Sequence, residues 1–113
     1  MVWEHPLIGK TVTLRAMEPG DAEFTFFIRQ DKERTKYLHK VTGTVETQRA
    51  WIEAQRAAND NYMFVVEDKA GTPIGMIGYY DISGDVGEIG RALINGTHLQ
   101  NCEADALIRN FVF

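Results

Sequence analysis

Cysteine is almost absent: the chain of 113 residues holds only Cys102. A small secreted domain usually carries paired cysteines, so no disulfide framework is expected and a cytoplasmic setting is the default. Basic charge is scarce too, with 12 Lys and Arg against 16 Asp and Glu and a net charge of −4. That balance offers no electrostatic footprint for a phosphate backbone, so nucleic acid is not an expected partner. It is compatible with a cationic amine, although a mildly acidic surface is also ordinary. No apolar run approaches the roughly 20 residues that cross a bilayer. Met1-Val2-Trp3-Glu4-His5 lacks the basic-then-apolar order of a signal peptide, so no membrane role is expected. His5, His39 and His98 show no metal-ligand spacing, and with a single cysteine no zinc site follows. Repeats, linkers and low-complexity tracts are also lacking, which leaves one domain over 1–113 with one core. Asn95-Gly96-Thr97 matches a glycosylation acceptor but, without a secretion signal, reads as a turn.

What is present is the 44% apolar, 25% charged composition of an ordinary globular protein, with clear periodicities. Val12, Leu14 and Ala16 alternate with polar residues over 11–17, as in a strand with one buried face, after a lead-in turn at Leu7-Ile8-Gly9-Lys10. Pro19-Gly20-Asp21 breaks it and offers Asp21 as a helix cap. Phe24, Phe27 and Ile28 predict a helix over 21–30, followed over 31–38 by a second short helical turn and a loop. Thr44 caps a further helix with Glu46 in its first turn, and Thr47, Ala50, Trp51, Ala54 and Ala58 mark one face. Strands are expected over 62–67, 73–82 and 86–94, with turns at Asp68-Lys69-Ala70-Gly71-Thr72 and Ser83-Gly84-Asp85. Gly75 and Gly78 suggest close approach of another backbone. Thr97 with Gln100 forms a capping box for a last helix, placing Leu99, Cys102, Ala106 and Phe113 on one face and Leu107, Ile108 and Phe111 on others, so that helix is expected to be largely buried. The fold class is α/β (α+β), in three α/β/α layers, in the order β-α-α-β-β-β-α around a mainly antiparallel sheet.

Several strings in this order resemble the GNAT superfamily of N-acetyltransferases, in particular the branch with ribosomal-protein N-terminal, amino-sugar and antibiotic acetyltransferases. They are Leu7-Ile8-Gly9-Lys10-Thr11-Val12-Thr13-Leu14-Arg15, Gly20-Asp21-Ala22, Gln48-Arg49-Ala50-Trp51-Ile52, Phe64-Val65-Val66-Glu67-Asp68, Pro73-Ile74-Gly75-Met76-Ile77-Gly78 and Gly87-Glu88-Ile89-Gly90-Arg91. The resemblance implies binding of acetyl-CoA and transfer of its acetyl group to a primary amine, on a peptide N-terminus or a small molecule. It also implies that the strand over 86–94 flanks the thioester and pantetheine arm, and that the turn and helix start over 96–104 hold the pyrophosphate through free N–H groups. The cofactor-binding residues it implies are Arg91, Leu93, Ile94, Asn95, Leu99, Gln100, Asn101 and Cys102.

The family usually marks this loop with Arg or Gln, two variable residues, Gly, one variable residue, then Gly or Ala. Here the stretch reads His98-Leu99-Gln100-Asn101-Cys102-Glu103, where Asn101 tolerates the left-handed backbone but Glu103 would repel phosphate unless it points away. A Leu-x-x-x-Glu start, as from Leu99 to Glu103, is also similar to some members. Either the phosphates are held by fewer amides or cofactor binding has decayed. The family domain ordinarily continues with a strand, a helix and two more strands, often supplying a Tyr that protonates the thiolate, so the C-terminal part of the fold is expected to be short or missing.

Glu88 is the leading catalytic candidate, as general base toward the incoming ammonium, against the alternative of a solvent-facing carboxylate. Tyr80 is the second, with Tyr79 and Asp81 as substrate-binding candidates; alternation along a strand forbids both tyrosines from facing one cleft. Arg15 and Arg91 read as structural ion-pair partners, Cys102 as buried filler, and Phe24, Phe27 and Trp51 as packing. A homodimer through the exposed last helix or a sheet edge is expected from the apolar end at Phe111-Val112-Phe113. The competing class is a degenerate module that no longer catalyses and acts by self-association or partner binding.

Overall fold

Val12 and Leu14, alternating along one strand and both fully buried, turn one face of a sheet toward the core. In the computed structural model, which describes residues 1–37 and 43–113 (31–37 by backbone only), five strands and three helices follow one another. They are β1 Leu7–Ile8, β2 Val12–Ala16, α1 Ala22–Tyr37, α2 Val45–Ala57, β3 Tyr62–Asp68, β4 Pro73–Ser83, β5 Val86–Ile94 and α3 His98–Val112, with a 3-10 turn at Pro19–Asp21 before α1. The strands pair antiparallel in the order β1-β2-β3-β4-β5, which leaves β5 on an edge.

Two apolar layers separate the sheet from its helices. On one side Val12, Leu14, Phe64, Val66 and Ile77 meet Ala104 and Ile108 of α3. On the other, Met63, Val65 and Met76 meet Ala22 and Ile28 of α1 and Ile52 of α2. The three-layer α/β/α arrangement is the one expected, and so is the element order from β2 onward, but Leu7 and Ile8, read as part of a turn, form the extra strand β1 by pairing with Leu14 and Thr13. Local signals acted as read at several points. Thr44 Oγ1 accepts from Thr47 N–H at 3.2 Å at the start of α2, and Asp68 Oδ1 accepts from Ala70 and Thr72 N–H in the β3–β4 turn. A Cβ on Gly75 would lie 2.6 Å from the Leu93 carbonyl oxygen, so backbone does approach there.

Helix rotation differs from the sequence pattern. On α3 the core face is Ala104, Leu107, Ile108 and Phe111, while Leu99 is 64% and Phe113 90% exposed and Cys102 and Ala106 face solvent. Cys102 is therefore not buried filler, and α3 is buried along one stripe only. The larger side chains at 107, 108 and 111 remove more apolar area from water than Cys and Ala can, and they set the rotation. On α2 the same weighting buries Ile52 and Gln48 and leaves Thr47, Ala50 and Ala54 exposed. Gln48 is tolerated inside because its amide donates to Thr25 Oγ1 at 3.0 Å and its carbonyl accepts from Arg29 at 2.6 Å. Phe27, read as packing, is 55% exposed. The α1 helix runs unbroken to Tyr37 rather than stopping near residue 30; the rest of the loop expected there, and His39, lie outside the described residues. Asp21 does not cap α1 with its side chain. Its carboxylate takes a two-pronged pair from Arg15 at 2.7 and 2.9 Å and the N–H of Glu18 at 2.8 Å. With Glu67 at 2.9 Å on its Nε, Arg15 is the structural ion-pair partner expected, and Asp21 foremost raises its pKa.

Candidate cofactor and acceptor site

The β5 strand is irregular where it matters. Between the pairs Met76↔Leu93 and Gly78↔Gly90 lies Ile77 alone on β4, but Arg91 and Ala92 together on β5. This is a β-bulge, and Arg91 at its first position has φ 51°, the left-handed region. A second bulge reverses the roles: between Tyr80↔Glu88 and Ser83↔Val86, β4 carries Asp81 and Ile82 against Gly87, and Asp81 has φ 53°. Asp tolerates that conformation, but Arg bears a cost of roughly 1 kcal/mol or more. Both non-glycine residues with positive φ among those described thus sit at bulges on the two strands singled out from sequence.

Beside the β5 bulge, Ile77, Ala92, Leu93, Ile94, Asn101 and Asp105 line a groove of about 280 Å³ between β5 and the first half of α3. Leu93, Ile94 and Asn101 are sequence candidates for cofactor binding. Ile77, Ala92 and Asp105 are additions, and the bulge itself had one readable signal in Gly90 immediately before it. Asn95 anchors the approach by donating its N–H to the Ile74 carbonyl at 2.7 Å. At the start of α3, Thr97 Oγ1 accepts from Gln100 N–H at 3.1 Å and Gln100 Oε1 accepts from Thr97 N–H at 2.9 Å. The Gln100 side chain is thus engaged in the capping box. The first helical bond runs from Asn101 N–H to the Thr97 carbonyl, so the N–H groups of His98 and Leu99 precede it. Leu99 and Cys102 are exposed, the Cys102 Sγ lying 3.5 Å from His98 Nε2.

Glu103, the residue that looked hostile to phosphate, faces the other way. Its Oε1 accepts from Thr11 N–H at 2.6 Å, Thr11 Oγ1 at 3.0 Å and Val12 N–H at 2.9 Å. The Thr11 amide, then those of Val12 and Lys10 and the Thr11 hydroxyl, hold its pKa down to about 2, against an opposing desolvation cost. Gly9 is needed for this clasp, because a Cβ there would collide with the Glu103 carboxylate. No acidic residue remains in the first turn of α3, and Asp105 is paired with Arg109 at 2.8 Å. The helix start therefore suits an anion.

The other candidates separate by face. Tyr79 packs with the α3-side core and lines a second, open groove of about 680 Å³ with Trp3, Tyr62, Leu107 and Phe111. Tyr80 points to the α1–α2 side, so the two tyrosines do oppose each other as alternation requires. Over the Tyr80 ring, 4.0 Å from its centroid, lies the Arg91 guanidinium carbon, which is also 5.6 Å from the Trp51 ring. Arg91 thus turns to the face opposite α3, outside the groove lining, and pairs with aromatic rings rather than a carboxylate. Glu88 is the cross-strand partner of Tyr80, which places both on one face; Glu88 and Asp81 are exposed. Among the described residues no group of three or more His, Cys, Asp or Glu could hold a metal ion, and no helix is long and apolar enough to cross a membrane.

Residues 11–109 match the family model described as Acetyltransferase (GNAT) domain. No curated protein matches the chain. Among solved structures, the apo form of FdhC, a nucleotide-linked sugar GNAT, is similar at 25% identity and TM-score 0.82, with 96% of this chain and 65% of that one covered. A candidate ribosomal-protein-serine acetyltransferase from Vibrio cholerae shares the fold at 18% identity and TM-score 0.71, covering 100% and 69%. So does spermidine N-acetyltransferase from Vibrio cholerae, in complex with CoA and spermine, at 23% identity and TM-score 0.69, covering 88% and 60%. The chain spans 55% to 65% of the length of the solved structures with TM-scores from 0.75 to 0.82. The fold and the extent of the family match together establish that this chain belongs to the GNAT acetyltransferase domain family.

Proposed function

We propose that the chain is the acetyl-CoA-binding part of an N-acetyltransferase that moves an acetyl group to a primary amine by direct attack. The observation that carries this reading is the groove beside the β5 bulge, which adjoins an α3 N-terminus cleared of acidic side chains. Acetyl-CoA would lie along Ala92, Leu93 and Ile94, with its phosphates toward Asn95 and the N–H groups of His98 and Leu99. Asn101 stands in place of the family glycine and lines the groove. When bound, acetyl-CoA supplies the activated acyl group. Glu88 would accept the proton that leaves the ammonium, since only the neutral amine is nucleophilic, and Tyr80 would position the acceptor on the same face of the sheet. Asp81, exposed at the neighbouring bulge, would attract the acceptor's charge.

Calorimetric titration with acetyl-CoA tests the reading. A saturable heat is expected, and its absence at millimolar concentration would overturn it. A second reading, self-association without catalysis, draws on the exposed apolar residues Leu99 of α3 and Val86 on the edge strand, 64% and 73% exposed. Sedimentation equilibrium separates the two: a monomer that binds acetyl-CoA removes the second, and a dimer that binds none removes the first.

A further inference from the structure

Most arginines of the described residues are committed. Arg15 holds Asp21 and Glu67, Arg49 holds Glu46, Arg109 holds Asp105, and Arg56 donates to the Met17 carbonyl. Arg91 differs. Its guanidinium lies over Tyr80 at 4.0 Å and near Trp51 at 5.6 Å, and its hydrogen-bonding contact is a long one to Met63 Sδ at 3.9 Å. No carboxylate neutralises it among the described residues, yet the residue is exposed. The cation is also held at a backbone cost, on a left-handed residue inside a bulge. The cation–π contact with Tyr80, worth roughly 0.5–2 kcal/mol, offsets that cost and holds the group over the ring. A guanidinium so held keeps most of its five N–H donors for a partner, and a planar fork of that kind matches a carboxylate or a phosphate.

Its place is defined relative to the candidate chemistry. Glu88 lies three residues earlier on β5, at most about 10 Å along the strand, on the Tyr80 face. We infer that Arg91 binds the anionic group, carboxylate or phosphate, of the acceptor, whose amino group points toward Glu88. This rests on the acyl-transfer reading and narrows it: the acceptor is an amine that also carries an acid, and simple amines and polyamines are disfavoured. The extra cation beside the amine would repel a second positive charge, whereas an acceptor of mixed charge satisfies both ends at once.

The test is acceptor binding without acetyl-CoA, followed by intrinsic tryptophan fluorescence and calorimetry, with probes paired by charge: glucosamine 6-phosphate against glucosamine, and 5-aminopentanoate against pentylamine. Arg91→Gly removes the guanidinium while suiting the positive φ, so its melting temperature should hold; Arg91→Lys keeps the charge without the fork. Tighter binding of an acid-bearing probe, weakened about tenfold or more in Arg91→Gly and less in Arg91→Lys, supports the inference. Preference for the phosphate pair or for the carboxylate pair identifies which anion is meant. Equal binding within both pairs, tighter binding of pentylamine or spermidine, no binding of any probe, or an Arg91→Gly protein that binds as wild type overturns it. Acetyl-CoA calorimetry on the same samples reports separately on the acyl-transfer reading.

Discussion

Replacing Ile108 with Ala should be far more damaging than replacing Leu99 with Ala, though both are large aliphatic residues on α3. Ile108 is fully buried, packed among Val12, Leu14, Phe64, Val66, Ile77 and Ala104, where the sheet cannot easily close over a void. Truncation of such a residue costs about 2–5 kcal/mol, the lost transfer energy plus the cavity left behind. Taking about 3 kcal/mol, and an unfolding entropy of about 0.24 kcal/mol/K for a chain of 113 residues, the melting temperature should fall by about 12 °C. Leu99 is 64% exposed, so its truncation should cost no more than about 0.5 kcal/mol, or about 2 °C. Differential scanning calorimetry of the two variants beside wild type reads both numbers. Equal losses, or a larger loss for Leu99→Ala, would refute the rotation of α3 described here and with it the position of the groove beside β5.

The Glu103 clasp should make stability depend on acid. Its folded pKa of about 2 lies below the ordinary 4.5, so its contribution is complete above about 4.5 and is lost as pH falls toward 2. The gap in melting temperature between wild type and Glu103→Gln should therefore be widest near neutrality and shrink through that window; a gap that stays constant from pH 7 to 2 would contradict it. Gly9→Ala displaces the same carboxylate, so combining it with Glu103→Gln should cost clearly less than the sum of the single losses in thermal melts. Ala92→Leu adds bulk to an exposed residue of the groove and should weaken acetyl-CoA binding by about tenfold, 1.4 kcal/mol, with a near-normal melting temperature; unchanged calorimetric affinity would place the cofactor elsewhere. Glu88→Gln should lower kcat by about 10²–10⁴ in a thiol-release assay while leaving acetyl-CoA affinity intact, and a wild-type rate would remove Glu88 from the role of base.

Strands were legible because their signal is local. The limits of β5 coincide with the expected 86–94, and the turns around Gly71 and Gly84 are marked by residues that tolerate positive φ. The Thr44 cap and the Thr97–Gln100 capping box could be read for the same reason: cap and bonded residue lie three residues apart, and nothing distant competes. Helix faces were less legible. Periodicity identifies α2 and α3, but two stripes compete on each, and the winner depends on how much area each side chain buries against a sheet the pattern does not contain. On α3 the stripe through Leu99, Cys102 and Ala106 loses to Ala104, Leu107, Ile108 and Phe111. Bulges were the hardest to foresee. An Arg in the left-handed region contradicts its own preference, and the cation–π contacts that offset it come from Tyr80 on another strand and Trp51 on a helix.

Glu103 shows why a residue cannot be judged from the loop it belongs to. As a member of the stretch after Asn95 it is an anion where an anion should bind. Its carboxylate instead meets the amides of Thr11 and Val12, at the far side of α3. The same contact does two things for the site. It removes the repulsion from the helix start, and it ties α3 to the beginning of β2, holding Asn101 and Asp105, one helical turn apart, over the groove beside the buried Ala104. The departure from the family's small residue is then coupled to Gly9, which has no side chain because Glu103 occupies that space. Replacing Glu103 with Ala to restore the family's residue type should consequently fail as a repair: the repulsion it aims to relieve is absent, and the variant should melt lower at neutral pH with no tighter acetyl-CoA binding by calorimetry. Tighter binding would mean that Glu103 faces the phosphates after all, and that the helix start is hostile to them.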